Sequence, residues 1–203
     1  MKFVLICLLP IFAYLLGSIP FGLLLARIFA GADLRRLGSG NIGATNVRRV
    51  AGNRLGLTVL LLDAAKGALP ALAAAALVDP AGALGAAYTG LVAACAVAGH
   101  LFPVYLKFRT GGKGVATAAG AFLVLAPAAL GLSLLVFVLV VCLTDRVSAG
   151  SLAAAVFLPL AVHLTAKPLT LTLWAVVVGV LIVWRHRANI RRLLAGREPR
   201  AGL

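Results

Sequence analysis

The stretch Arg109-Thr110-Gly111-Gly112-Lys113-Gly114-Val115-Ala116-Thr117 marks the point where a polar loop runs into a long apolar segment. Its glycines allow backbone N–H groups to converge, and the start of a helix adds partial positive charge there. Lys113 adds a full positive charge, so the stretch has the composition of an anion site. An anion site at the mouth of an apolar segment indicates that a charged small molecule is handled at a bilayer surface.

The composition of the chain places it in a membrane. The 203 residues are 63% hydrophobic and 12% charged, with a mean hydropathy of +1.09, far from the range of soluble globular proteins. Little mass is left for a separate soluble domain, so we expect one membrane-embedded domain over residues 1–203. The sequence therefore predicts an all-α, polytopic integral membrane protein.

The net charge of +14 comes from 19 Lys and Arg residues against five Asp and Glu residues. Such basicity can indicate a nucleic-acid partner. Here the basic residues lie between the apolar runs, where the positive-inside rule already places them. We therefore expect membrane lipid, and no nucleic acid, as the partner of this surface.

Four apolar runs follow one another along the chain, at residues 3–26, 55–78, 83–106 and 115–184. The first run is long enough to span a bilayer. It is followed by Arg27, Arg35 and Arg36, whereas only Lys2 precedes it. This asymmetry predicts an uncleaved first helix with the N-terminus outside.

The run 115–184 begins after Lys113 and ends before the basic tail 185–203, so both of its ends are predicted on the cytoplasmic side. It must then contain an even number of spans. Two spans would be too long for a bilayer, whereas four short spans have natural breaks at Pro127, at 144–146 and at 167–168. We predict seven spans in total, with five as the alternative, and a cytoplasmic C-terminus.

The first of three polar clusters on the predicted cytoplasmic face is Gly38-Ser39-Gly40-Asn41-Ile42-Gly43-Ala44-Thr45-Asn46-Val47-Arg48-Arg49. Its glycines allow tight turns, and its Ser, Asn and Thr side chains supply hydrogen-bond donors within a short span. The two arginines add forked donors that suit phosphate or carboxylate. The alternative is a flexible linker whose arginines only set the topology.

The second cluster combines Gly99-His100 with the glycine-lysine loop at 111–114. The loop is not a Walker A motif, because Gly114 stands where Ser or Thr should bind magnesium and Lys107 stands where the leading Gly should be. An ATPase is therefore not indicated. The alternative to a phosphate site is a helix cap with a snorkelling lysine.

The third cluster is Arg185-His186-Arg187-Ala188-Asn189-Ile190-Arg191-Arg192-Leu193-Leu194-Ala195-Gly196-Arg197-Glu198. If the last helix continues through it, His186 and Asn189 share one helix face. The neighbouring arginines favour the neutral form of His186, which can accept or donate a proton. The alternative is a polybasic tail that touches anionic lipid headgroups.

Metal ligation is not indicated by the pattern of cysteines and histidines. Cys7, Cys95 and Cys142 stand singly in apolar stretches, and the three histidines are far apart without a ligand spacing. We expect no metal and no cofactor.

The segments GSGNIGATNVRR, GHLFPVYLKFRTGGKGVAT and HRANIRRLLAGRE, in this order, resemble the bacterial acyl-phosphate:glycerol-3-phosphate 1-O-acyltransferases, the PlsY family. The resemblance implies a seven-helix membrane protein of the bacterial inner or plasma membrane with a cytoplasmic active site. It implies transfer of a fatty acyl group from acyl phosphate to the 1-hydroxyl of glycerol 3-phosphate. The products are lysophosphatidate and inorganic phosphate, in the first committed step of phospholipid synthesis. The enzyme that forms acyl phosphate is a plausible partner.

The resemblance also assigns roles to residues of the three clusters. The catalytic set that it implies is Ser39, Arg49, Lys113, His186 and Asn189. The substrate- and phosphate-binding set is Asn41, Gly43, Asn46, His100, Lys107, Arg109, Gly111, Gly112 and Gly114, and Glu198 is structural. Thr110 separates Arg109 from the glycines, which leaves open whether Arg109 or Lys107 is the auxiliary phosphate ligand.

The residues allow direct attack of the acceptor hydroxyl on an activated acyl donor. The His-x4-Asp pair of other glycerol-3-phosphate acyltransferases is absent, because Tyr105, Pro168 and Arg191 stand five residues after the three histidines. The base is then either neutral His186 or a substrate phosphate.

The alternative function is transport of an organic anion or lipid, for which Asp63, Lys66 and His163 are the candidate polar residues near the midplane. A phosphatidyltransferase would need an Asp-rich metal signature that the chain lacks.

Overall fold

A computed structural model describes residues 2–165 and 167–201, and all regular secondary structure in these residues is helical. The helices are α1 (Lys2–Gly17), α2 (Phe21–Ala30), α3 (Ala44–Ala51), α4 (Asn53–Leu77), α5 (Ala83–Leu101), α6 (Val115–Leu125), α7 (Pro127–Thr144), α8 (Val147–Leu164), α9 (Leu169–Arg185) and α10 (Arg187–Leu194). A 3-10 turn at Val104–Leu106 follows α5. The prediction of an all-α membrane protein is confirmed.

The described residues contain five helical stretches that are long and apolar enough to cross a membrane: Lys2–Ala30, Asn53–Leu77, Ala83–Leu106, Pro127–Thr144 and Val147–Leu164. The pair α9 and α10 would add a sixth, although the chain bends by 60° between them. Helix α6 is apolar, but its 11 residues are fewer than the roughly 20 that a span needs. The count of seven spans and the orientation of the termini stay predictions.

The breaks predicted within the run 115–184 are found in the structure. Helix α7 begins at Pro127. Proline is favourable at a first helical position, because the N–H that it lacks would have no partner within the helix there. Asp145, with φ of 51°, ends α7 in the left-handed region, and α8 begins two residues later. Pro168 directly precedes α9.

The apolar run 3–26 differs from its prediction, because it forms two helices rather than one. The chain leaves the helix after Gly17 and resumes at Phe21. Pro20 disfavours helical geometry at Ile19 and has no N–H to donate, so the helix is interrupted between Gly17 and Phe21. Helix α3 lies between the first two apolar runs, in the part of the chain that contains the first polar cluster.

Small residues allow neighbouring helices to approach with their backbones in contact. A Cβ placed on Gly67 of α4 would lie 2.0 Å from the carbonyl oxygen of Thr117 in α6. A Cβ on Gly120 of α6 would lie 1.9 Å from the carbonyl oxygen of Ala64 in α4. Interfaces of this kind are typical of helix association in membranes, where close van der Waals contact replaces the hydrophobic effect.

The C-terminal segment 195–201 folds back over the helix ends. The N–H of Ala201 donates to the carbonyl of Asp145 at 2.8 Å, and the Ala201 carbonyl accepts from Arg48 Nη2 at 2.7 Å. Glu198, within this segment, is buried and accepts hydrogen bonds from Asn189 and Arg192 of α10. The tail therefore connects α3, α7 and α10 at one end of the bundle.

Gly67→Ala is expected to destabilise the protein by about 1–3 kcal/mol, because the added methyl group forces α4 away from α6. The matched control is Gly131→Ala in α7, where a Cβ has no neighbour within 4 Å. There the change improves helix propensity by up to about 1 kcal/mol. Thermal unfolding of both variants in one detergent measures the difference. Equal melting temperatures would contradict the close contact of α4 with α6.

Candidate active site

A cavity of about 790 Å³ lies between the helix ends and continues among the helices. Its polar lining includes residues from all three clusters, among them Ser39, Asn41, Thr45, Arg49, Lys113, His186, Asn189, Arg192 and Glu198. Segments that are far apart in sequence thus meet at one place. The cavity is the candidate active site.

The loop of the first cluster folds around the side chain of Asn46. Its Nδ2 donates to the carbonyls of Leu37 at 3.0 Å and Asn41 at 2.8 Å, and its Oδ1 accepts the N–H of Ser39 at 2.9 Å. Asn46 is 2% exposed, so these bonds satisfy an amide that burial would otherwise penalise. The side chain predicted to bind substrate holds the loop that presents Ser39 to the cavity.

The remaining residues of the first cluster have different surroundings. Asn41 Oδ1 accepts the N–H of Gly43 at 2.9 Å, in the turn that leads into α3. Arg49, on α3, lines the cavity with an exposed side chain. In the described part of the chain, no hydrogen bond or ion pair engages its guanidinium group. Arg49 is therefore available to an anion in the cavity.

The glycine-rich loop of the second cluster is fixed from two sides. Gly112 donates its N–H to the His100 carbonyl at 3.0 Å. Arg185 donates from Nε to the Gly112 carbonyl at 3.0 Å and from Nη2 to the Gly111 carbonyl. A Cβ on Gly112 would lie 1.8 Å from His100 Nε2, so the imidazole occupies the space of a side chain there. Gly111 and Gly112 are buried behind the cavity, whereas Gly114, with φ of 81°, lines it.

Lys113 projects from this fixed loop into the cavity. Burial lowers the pKa of its ammonium group to about 8, and the positive charges of Arg192, Arg49 and Arg185 act in the same direction. The carboxylate of Glu198 opposes them. At neutral pH the group is still predominantly cationic.

Lys107 and Arg109, the alternatives for the auxiliary phosphate ligand, are both exposed and lie outside the cavity lining. Lys107 and Phe108 have φ of 52° and 62°, and this left-handed pair turns the chain away after the 3-10 turn. Arg192 lines the cavity instead. Arg192 is outside the set of predicted site residues, although its position three residues after Asn189 on the same helix face would have indicated it.

The helix that was assumed to continue through the third cluster bends by 60° at His186. His186 and Asn189 nevertheless both line the cavity, because α10 begins immediately after the bend. His186 is 1% exposed, and its Nδ1 lies 2.8 Å from the Ile182 carbonyl oxygen. Since a carbonyl only accepts, the proton is on Nδ1. The lone pair of Nε2 is free to take a proton.

Glu198 organises the polar end of the cavity. Its Oε1 accepts hydrogen bonds from Ser148 Oγ at 2.7 Å and from Asn189 Nδ2, while its Oε2 accepts from Arg192 Nε at 2.7 Å. Burial raises the pKa of the carboxyl, but these hydrogen bonds outweigh it and hold the pKa below its usual value. The carboxylate thereby orients Asn189 and Arg192.

The second part of the cavity is apolar and runs between α6, α7 and α8. Its walls include Ala119, Leu130, Leu134, Phe137, Ala155 and Leu158. The α7 residues that line it run from Leu130 to Phe137, a rise of about 10 Å at about 1.5 Å per residue. A cationic end joined to an apolar arm of this depth suits an amphiphile with an anionic head.

Comparison with known proteins agrees with this arrangement. A family model described as glycerol-3-phosphate acyltransferase matches residues 7–196. A glycerol-3-phosphate acyltransferase of Syntrophotalea carbinolica is 50% identical over 188 residues, which are 93% of each chain. One of Myxococcus xanthus is 48% identical over 192 residues, covering 95% of this chain and 97% of the relative.

The fold is also similar to solved structures of PlsY, an integral membrane glycerol 3-phosphate acyltransferase. The glycerol 3-phosphate form has a TM-score of 0.91 and 41% identity, with 97% of this chain and 96% of that chain covered. The lysophosphatidic acid form has a TM-score of 0.88 and 40% identity, with coverage of 96% and 94%. The match to the family model spans nearly the whole chain, and the chain belongs to the glycerol-3-phosphate acyltransferase family.

Proposed function

We propose that this protein transfers a fatty acyl group from acyl phosphate to the 1-hydroxyl of glycerol 3-phosphate, giving lysophosphatidate and inorganic phosphate. The single observation that carries the proposal is the cavity that joins a cationic end to an apolar arm. Acyl phosphate and lysophosphatidate are both anionic amphiphiles, and each fits such a cavity in one orientation. Membership of the family supports the same reaction.

The phosphate groups bind at the cationic end. Lys113 and Arg49 supply charge there, and Ser39 supplies a hydroxyl. Charge-assisted hydrogen bonds from such groups are the strong ones, and they strengthen further where water is excluded. In this proposal Asn41, Gly43 and Gly114 shape the site, while Asn46, Gly111 and Gly112 hold the backbone of its two loops.

The acyl chain lies in the apolar arm between α7 and α8. Each methylene group that leaves water contributes about 0.8 kcal/mol, so a fatty chain supplies a large part of the binding energy. This binding energy positions the carbonyl carbon near the phosphate end.

The reaction is a direct displacement without a covalent enzyme intermediate. The 1-hydroxyl oxygen bonds to the acyl carbonyl carbon, and the carbonyl carbon–oxygen bond to phosphate breaks, with its electron pair leaving on phosphate. The hydroxyl proton goes to His186 Nε2 or to a substrate phosphate, and Asn189 orients the reacting groups. Positioning and positive charge supply most of the acceleration, because acyl phosphate is already activated. Trapping of an acyl-Ser39 intermediate would overturn this mechanism.

The family and the apolar helices describe a bacterial membrane protein. Within this description, we place the site on the cytoplasmic face, because the basic segments follow the positive-inside rule. We also retain seven spans in a single membrane-embedded domain of residues 1–203. An enzyme that forms acyl phosphate is the partner that this donor requires.

The donor is tested with purified protein, glycerol 3-phosphate and either palmitoyl phosphate or palmitoyl-CoA. We expect lysophosphatidate and an equal amount of inorganic phosphate from palmitoyl phosphate, and no product from the thioester. Product from the thioester would keep the acyl transfer but contradict the donor. If folded protein gave no product from either donor, acyl transfer itself would be wrong, and uptake of glycerol 3-phosphate into proteoliposomes would then be measured.

Lys113→Ala is expected to lower kcat/KM by about 10²–10³, the usual cost of removing a donor that stabilises transition-state charge. The matched control is Lys167→Ala, because Lys167 is an exposed lysine outside the cavity and its loss should leave kcat/KM within twofold. Steady-state rates with palmitoyl phosphate measure both variants. Equal losses in the two variants would remove Lys113 from the site.

The activity of the wild type is expected to fall as the pH rises through about 8, because Lys113 loses its charge there. Below that pH the ammonium group is retained, and phosphate groups stay ionised down to about pH 6. In Lys113→Arg the guanidinium group keeps its charge, so whatever activity this variant has should persist to higher pH. A decline at the same pH in both proteins would assign it to another group.

A further inference from the structure

A second polar cluster is buried among the helices, behind the glycine-rich loop. It consists of Asp63 and Lys66 on α4 and His100 on α5, which are 3%, 2% and 5% exposed. Lys66 Nζ lies 2.8 Å from Asp63 Oδ1 and donates to the Ile19 carbonyl at 3.0 Å, at the break between α1 and α2. Asp63 and Lys66, three residues apart on α4, thus form a buried ion pair, and the reaction described above does not use it.

The cluster is connected to the cavity through His100. Both Asp63 and His100 line the cavity, and His100 Nδ1 lies 3.6 Å from Asp63 Oδ1. Within the described residues this nitrogen makes no hydrogen bond. A shift of about 0.5 Å would bring the two atoms into hydrogen-bond range. Asp63 is thus the group that can fix the orientation of the imidazole ring.

The ring of His100 in turn determines the position of the loop. Nε2 of the ring occupies the place where a Cβ of Gly112 would be. The backbone carbonyl of His100 accepts the Gly112 N–H at 3.0 Å. Arg185 holds the Gly112 carbonyl from the other side. The peptide that directly precedes Lys113 is therefore held by the His100 carbonyl and by Arg185, and it packs against the His100 ring.

We propose that Asp63 is a positioning residue for Lys113, acting through His100 and Gly112, with Lys66 balancing its charge. Burying ions inside a membrane protein is costly, and such groups usually serve function. A cluster that only held helices together would not need to contact the loop that carries the phosphate ligand. This inference rests on the proposed function, since it assigns Lys113 to a substrate phosphate.

The test uses Asp63→Asn combined with Lys66→Met. Removing one partner alone would leave an unpaired buried charge, whereas removing both charges is often tolerated. We expect the KM for at least one of the two phosphate-bearing substrates to rise about tenfold or more, with a smaller change in kcat and a melting temperature within a few degrees of wild type. The matched control is Asp79→Asn, in the turn between α4 and α5, which should keep the wild-type KM.

His100→Gln removes the ring without removing a full charge. It serves as the test variant if the double variant does not fold. We expect the same rise in KM, and no further rise when it is combined with the double variant, because both changes break one chain of contacts. Wild-type KM values in folded His100→Gln or in the folded double variant would overturn the positioning role. A loss of kcat or of stability alone would also overturn it.

A binding measurement separates this inference from the proposed function. Glycerol 3-phosphate should raise the melting temperature of the wild type and raise it less in the double variant at equal concentration. If the wild type made no product from any donor, the proposed function would be wrong. The difference in binding would still test whether Asp63 positions the glycine-rich loop. Equal stabilisation of both proteins would contradict positioning by Asp63.

Discussion

Uncompensated positive charge at the end of an apolar helix bundle is the constraint on which this structure depends. The chain has 19 Lys and Arg residues and five carboxylates, so few cations can be paired internally. Glu198 is used to fix Asn189 and Arg192, and the carbonyls of the glycine-rich loop bind Arg185. Lys113 and Arg49 remain for an anion that enters the cavity. In the proposed reaction, a substrate phosphate completes this charge balance.

This arrangement explains how acyl transfer can proceed with little acid–base machinery. The carboxylate of Glu198 is bound by three donors and is not available as a base. The proposed donor carries its own leaving group, so the site has to align two phosphates and stabilise charge. His186 offers one nitrogen for a proton, since Ile182 holds the other. The apolar arm supplies binding energy far from the reacting atoms, which serves to orient the carbonyl carbon.

Local signals in the sequence were sufficient for the helix breaks at Pro127 and Pro168 and for the three clusters that form the cavity. Turn residues and charge act on the adjacent backbone, so their consequences can be predicted without knowing the fold. The contacts of Arg185 with the glycine-rich loop and of Asp63 with His100 could not be predicted from the sequence, because they depend on how the helices pack. The bend at His186 could not be predicted either, because the residues around His186 are compatible with a continuous helix. Lys107 and Arg109 fit a phosphate ligand by type, but their backbone turns them away from the cavity.

In the proposed reaction, one cavity holds the phosphate of the substrates at Lys113 and Arg49 and their acyl chain between α7 and α8. A crystal structure of this protein with lysophosphatidate bound tests it most directly, because that molecule carries both groups. We expect phosphate oxygens within hydrogen-bond distance of Lys113 or Arg49, and the acyl chain along Leu134 and Phe137. A phosphate bound at Lys107 or Arg109, with the acyl chain outside the cavity, would contradict it.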